Sequence, residues 1–432
     1  MKFHLKNSLI FQRIFGSILL LFLLEHNTCD KLYAQSHPLD KKFDGYVEKT
    51  LKDWQAPGVI ISVVKDGKHV FAKGYGTRKY GENLLPDENT FFHIASHSKS
   101  FTAASIAILV DEGKLSWDDP VKKYIPEFQF SDSYVTENIT IRDILLHRAG
   151  LPFLIGSMNN SDYSINDLMR DLKTSNPVTG LRERHSYTNV GYAIAGEIVA
   201  RVSGMNWNDF VTQRIFKPLS MNSSYANAVS LSKALGDPNE IDNIFLPARK
   251  EGEVVTSIDW GESFNSVYAP AGGIITTADN IAKWMIMQLQ EGEYNGKRLI
   301  SVEAIREMHK PQVIVAPLLF GSRELDWAEL HNPFGHFITY GLGWFSYDYR
   351  DLKIDEHTGL GTNSSSIAVV SEKQLGIAVC TNCVTTNPDV WRDMRMAVAL
   401  KLKVIDYFFG APETDWSSIF LQIHKNKMET GE

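Results

Sequence analysis

The sequence is poor in cysteine, has no strong excess of one charge and lacks the common metal-binding spacings. Three cysteines, Cys29, Cys380 and Cys383, are too few to staple a disulfide scaffold. Lys and Arg number 44 against 51 Asp and Glu, a net charge of −7, and no basic block stands out. A nucleic-acid partner is therefore not expected. There is no His-Glu-x-x-His and no pair of Cys-x-x-Cys motifs, so no metal site and no cofactor are expected. The sequence does have apolar material in quantity. Of 432 residues, 44% are hydrophobic and 11% aromatic, enough for a large core and too many for a disordered chain.

The first residues read as a targeting segment. Lys2, Lys6 and Arg13 precede the apolar run Ile18 to Leu24, which Glu25, His26 and Asn27 end. That run is short of the ~20 residues a membrane span needs, and a basic head before a short apolar stretch is the pattern of an export signal. Residues 1–34 are expected to be a signal peptide, with cleavage after Ala34 or retention as an anchor. The location expected is secreted or periplasmic, with membrane contact only through this segment.

Periodicity then divides the chain. Phe43, Val47, Leu51 and Trp54 recur at helical spacing, predicting a helix over 40–54. Gly58 to Val64 and His69 to Lys73 flank the turn Lys65-Asp66-Gly67-Lys68 and predict a β-hairpin. Helices are expected over 100–112, 191–202 and 278–290. Strands are expected over 340–347, 364–370 and 375–381, followed by a long helix over 390–409. Strands at both ends of the chain with helices between them imply an α+β fold. In it, an antiparallel sheet built from both chain ends is flanked by terminal helices, with a mostly helical inserted domain. One hydrolase domain is expected over 35–410. Residues 411–432 lose apolar periodicity after Pro412 and read as a tail.

Ser96-His97-Ser98-Lys99 opens the helix at 100–112. A Ser and a Lys three apart share a helix face, and a buried Lys loses its proton and can take one from the Ser hydroxyl. The spacing alone is weak: Ser230 and Lys233 repeat it between polar loops, and Ser96 could equally be a helix cap. Two further segments add weight. Tyr187-Thr188-Asn189 precedes the helix over 191–202, and His357-Thr358-Gly359 precedes the strand near Ser364.

The order Ser-x-x-Lys, Tyr-x-Asn, His-Thr-Gly resembles the serine β-lactamase, penicillin-binding protein and esterase group. It is most similar to class C β-lactamases and their D-alanyl-D-alanine carboxypeptidase, D-aminopeptidase and esterase relatives. The segments 92–103, 140–152, 271–278 and 340–344 fit the same resemblance, which spans roughly residues 40–410. It implies a β-lactamase/transpeptidase-like fold and a role for each matching residue. Ser96 would be the acylated nucleophile and Lys99 would share its proton. Tyr187 would be the second acid/base, its phenolate favoured by the Lys99 charge. Asn189 would bond the substrate amide, and His357, Thr358 and Gly359 would hold the leaving side or a substrate carboxylate. The backbone N–H groups of Ser96 and Leu360 would form an oxyanion hole.

Two departures matter. His357 stands where many efficient β-lactamases of the group have Lys, and a neutral imidazole attracts a carboxylate less. His97 sits inside the nucleophile motif, where a smaller or apolar residue is commoner, and reads as a neutral bystander. Cys380 and Cys383 lie at a strand end and read as two buried thiols. His331 and His336, two imidazoles around Asn332 to Gly335, carry no metal reading. The expectation is a serine hydrolase acting through an acyl-enzyme on D-amino-acid peptide, amide or ester substrates. The alternatives are β-lactamase as the main role, or a non-catalytic relative that binds cell-wall peptides.

Overall fold

A computed structural model describes residues 39–154, 162–251, 254–257, 266–315, 337–385 and 392–430. The targeting segment, the aromatics Trp327 and Phe334 and the histidines His331 and His336 lie outside these residues. Helix α1 (Lys41–Trp54) starts where the Asp40 carboxylate accepts the Lys42 and Phe43 N–H groups, and it ends at Gln55, whose φ is +50°. Strands β1 (Gly58–Lys65) and β2 (Lys68–Gly76) form the expected hairpin.

The remaining strands of the main sheet come from the C-terminal third: β3 (Val313–Ile314), β4 (Ile338–Tyr340), β5 (Phe345–Tyr349), β6 (Leu352–Leu360), β7 (Ser364–Val370) and β8 (Leu375–Thr381). The eight strands lie in the order β2-β1-β8-β7-β6-β5-β4-β3, and each neighbouring pair is antiparallel. The seam between chain ends is β1 on β8, with Val59 opposite Thr381 and Lys65 opposite Leu375. β1, β7 and β8 are buried on both faces because both are covered. One face carries α1, α5 (Arg392–Phe409) and the C-terminal helix; the other carries the central helices.

Two expectations change and one is refined. The stretch 340–347 is two strands, not one. Between them Gly343 has φ +84°, and a Cβ there would meet the Lys99 carbonyl oxygen at 2.9 Å. The chain therefore turns where it must pass close to the Lys99 backbone. The His-Thr-Gly segment precedes the strand at Ser364, as expected, but is itself the end of a strand, β6. Residues 411–432 are not a loose tail but contain α6 (Trp416–Thr430). Trp416 and Phe420 are buried against the sheet's helices; the Trp416 indole donates to Asp406, and the Trp54 indole donates to Ser417 Oγ. Spread apolar anchors with indole hydrogen bonds give little periodic signal. Among the described residues no helix is long and apolar enough to cross a membrane.

Candidate active site

Ser96 sits in a single 3₁₀ turn (Ala95–His97) that leads into α2 (Ser98–Asp111). Ala95 has φ +46°, a strained conformation for a residue with a Cβ, and it throws Ser96 out of the helix line. β6 reaches this turn because Gly359 has no side chain: a Cβ there would lie 2.2 Å from the Ile94 carbonyl oxygen. Among the described residues β5 pairs with Leu352–Glu356 of β6, and β7 pairs with β6 on through His357–Leu360, beside Ser96.

Lys99 is fully buried, and burial holds its pKa well below the usual lysine value. Its Nζ lies 3.1 Å from Ser96 Oγ, 2.8 Å from Asn189 Oδ1 and 2.8 Å from the Ala271 carbonyl oxygen. A neutral amine has two N–H donors and one lone pair. Asn189 and Ala271 can take both donors, which leaves the lone pair for the Ser96 hydroxyl. Helix α2 holds the Ala271 carbonyl in place. Ser98 Oγ accepts the Ile274 N–H at 3.0 Å, and Thr102 Oγ1 donates to the Pro270 carbonyl at 2.6 Å.

Tyr187 places its ring centroid 4.8 Å from Lys99 Nζ. Burial raises its phenol above the usual tyrosine range, while a hydrogen bond with Ser96 pulls the other way. The expected phenolate is thus disfavoured: with both groups dry, the neutral amine and neutral phenol are the cheaper pair. Asn189 is the residue before α3 (Val190–Ser203), and its Oδ1 serves Lys99. Thr358 is buried beside Gly359.

His357 departs from its expected use. Its ring is fully buried, Nε2 lies 3.1 Å from the Tyr340 hydroxyl and Nδ1 lies 2.6 Å from the Thr358 carbonyl oxygen. The carbonyl can only accept, so Nδ1 carries a proton, and in the neutral ring Nε2 accepts from Tyr340. Both nitrogens face protein atoms, and neither is turned to a substrate carboxylate. His97 is buried edge-on to Trp344, with ring centroids 5.1 Å apart, and burial lowers its pKa to about 3. It is neutral, as expected of a bystander.

The second Ser-x-x-Lys is no site. Ser230 Oγ donates to Asn227, the cap of helix 228–235, and Lys233 is exposed. Cys380 and Cys383 are buried, unbridged thiols. Sequence reasoning did not assign roles to the Ala271 carbonyl, Tyr340, Tyr192 or His147. A backbone carbonyl leaves no trace in residue type, although segments 271–278 and 340–344 had already drawn notice.

Comparison with known proteins places this geometry. A family model described as Beta-lactamase matches residues 43–401. An unguisins hydrolase of Aspergillus campestris is 27% identical over 415 residues, covering 91% of this chain and 70% of that protein. Protein flp of Staphylococcus aureus is 26% identical over 349 residues, covering 79% of this chain and 63% of that protein. An octameric penicillin-binding protein homologue from Pyrococcus abyssi superposes with a TM-score of 0.67 at 25% identity, over 86% of this chain and 77% of that one. D-amino acid amidase from Ochrobactrum anthropi superposes with a TM-score of 0.68 at 19% identity, over 86% of this chain and 99% of that one. The chain belongs to the beta-lactamase family and is a serine hydrolase of that fold.

Proposed function

We propose that the protein hydrolyses D-amino-acid amides and peptides or small esters through an acyl-enzyme on Ser96. The observation that carries this reading is the Lys99 amine, buried and 3.1 Å from Ser96 Oγ, with two other acceptors available for its hydrogens. Lys99 takes the Ser96 proton as Oγ attacks the substrate carbonyl. The oxyanion is held by the backbone N–H groups of Ser96 and Leu360. Tyr187, a phenol at rest, gives its proton to the departing nitrogen or oxygen as the C–N or C–O bond breaks. Lys99 then returns a proton to Tyr187. Water cleaves the ester by the reverse sequence and restores the Ser96 hydroxyl. Asn189 and Thr358, beside Lys99 and Gly359, orient the substrate.

The His357 geometry favours uncharged substrates at the leaving side. With both ring nitrogens facing protein atoms, a free carboxylate gains no cation from this residue. That ranks amides and esters above β-lactams and carboxypeptidase substrates. Names of relatives agree in direction: an amidase on D-amino acids and a hydrolase of unguisins. Export, through the basic and apolar head of residues 1–34, belongs to the same proposal.

A turnover panel on the purified chain tests it, using p-nitrophenyl esters, D- and L-amino-acid amides and a cephalosporin. Hydrolysis of the esters and D-amides above the cephalosporin is expected. Ser96→Ala should abolish every activity and Ser230→Ala none. Full activity in Ser96→Ala would overturn the assignment, and a dominant cephalosporinase would overturn the substrate order.

A further inference from the structure

The 140–152 segment ends in a turn that meets the Tyr187 loop at His147 and again at Pro152, whose carbonyl accepts from Thr188 Oγ1 at 2.8 Å. His147 has φ +54°, in the left-handed region, and is buried. Its backbone carbonyl accepts the Ser186 N–H at 2.6 Å. Its ring Nδ1 accepts the Thr188 N–H at 3.2 Å. Those two donors stand on either side of Tyr187, and the imidazole packs 4.3 Å from the Tyr187 ring, centroid to centroid. The same turn grips the rest of that loop: the Arg148 carbonyl accepts from Arg182 and the Gly150 carbonyl from Val178. Below it, the buried Asp143 carboxylate ties Arg148 and Arg182 together.

From this geometry we infer that His147 is a positioning residue for Tyr187, fixing the acid/base phenol through a two-point clamp on the peptide groups around it. The inference rests on the role given to Tyr187 above. The clamp needs an acceptor at Nδ1, so the ring must be neutral with its proton on Nε2. Burial holds it neutral, its pKa well below the usual histidine value. It also needs a residue that tolerates the left-handed backbone. Asparagine meets both requirements, because its side-chain oxygen can stand where Nδ1 stands and it visits this region readily.

Three variants of the full chain test the clamp on a p-nitrophenyl ester and the best amide. His147→Asn should keep kcat within about fivefold of wild type. His147→Phe keeps a ring but no acceptor, and should lower kcat by about 100-fold, with KM changed far less. Should the Phe variant fail to fold, His147→Gly, which relaxes the backbone and also lacks the acceptor, is held to the same expectation. Ser96 should still be labelled by a fluorophosphonate in each folded variant, because the nucleophile itself is intact. Equal loss in the Asn and Phe (or Gly) variants, or wild-type kcat in an acceptor-free variant, would overturn the clamp. Failure of the parent reading looks different: Tyr187→Phe would then keep wild-type kcat, whatever the His147 variants do.

Discussion

At the scale of residues, the site is defined by where protons can rest. Lys99 and Tyr187 are both dry, and desolvation pushes them in opposite directions: the amine down, the phenol up. In the proposed mechanism the resting pair is neutral, with a base beside Ser96 and an acid beside the leaving group. This fixes the sign of the pH dependence. Activity rises as Lys99 loses its proton, at a pH far below the ordinary lysine value of 10.5, and falls only when Tyr187 ionises above the ordinary phenol range. A profile of kcat/KM on an uncharged ester should thus rise at a pH well below the ordinary lysine value and fall late, on the alkaline side. An acid limb near the ordinary lysine value would show that Lys99 rests charged. The residue types Ser96, Lys99, Tyr187 and Asn189 were legible in the sequence because their chemistry is in their side chains. The charge states were not, since they follow from burial.

At the scale of elements, the pieces are placed by close approaches that only small residues allow. Gly359 lets β6 meet the Ile94 carbonyl, and Gly343 lets the β4–β5 turn meet α2. Both glycines lie in segments singled out from the sequence, but only the fold reveals what each approaches. Strongly periodic helices, such as α1 with Phe43, Val47, Leu51 and Trp54, were readable in advance. α6 was not, because its anchoring depends on Trp416 and Phe420 meeting residues far away in the chain. Its contribution is large. Trp416 is buried with its indole bonded to Asp406, so Trp416→Ala should cost about 3–5 kcal/mol of stability. Denaturant unfolding measures this. The kcat of the folded fraction should be unchanged, because α6 packs on the sheet face opposite the central helices. A loss below about 1 kcal/mol would show that the helix is an ornament.

At the scale of the whole molecule, one sheet joins the chain ends and separates two cores. Terminal helices cover one face, and the central helices that carry Ser96, Lys99 and Asn189 cover the other. The pairing of β1 with β8 was foreseeable from strands at both ends of the sequence. The order of the remaining strands, and the place of His357 within β6, required the register. The consequence for the proposed function is that His357 is turned into the protein, toward Tyr340, and the proposed chemistry falls to Ser96, Lys99 and Tyr187. The most direct test of that account is peptide mapping by mass spectrometry after reaction with a fluorophosphonate. The account predicts one adduct, on Ser96, formed in the wild type and in Ser230→Ala and absent from Ser96→Ala. An adduct on another residue, with turnover surviving in Ser96→Ala, would contradict it.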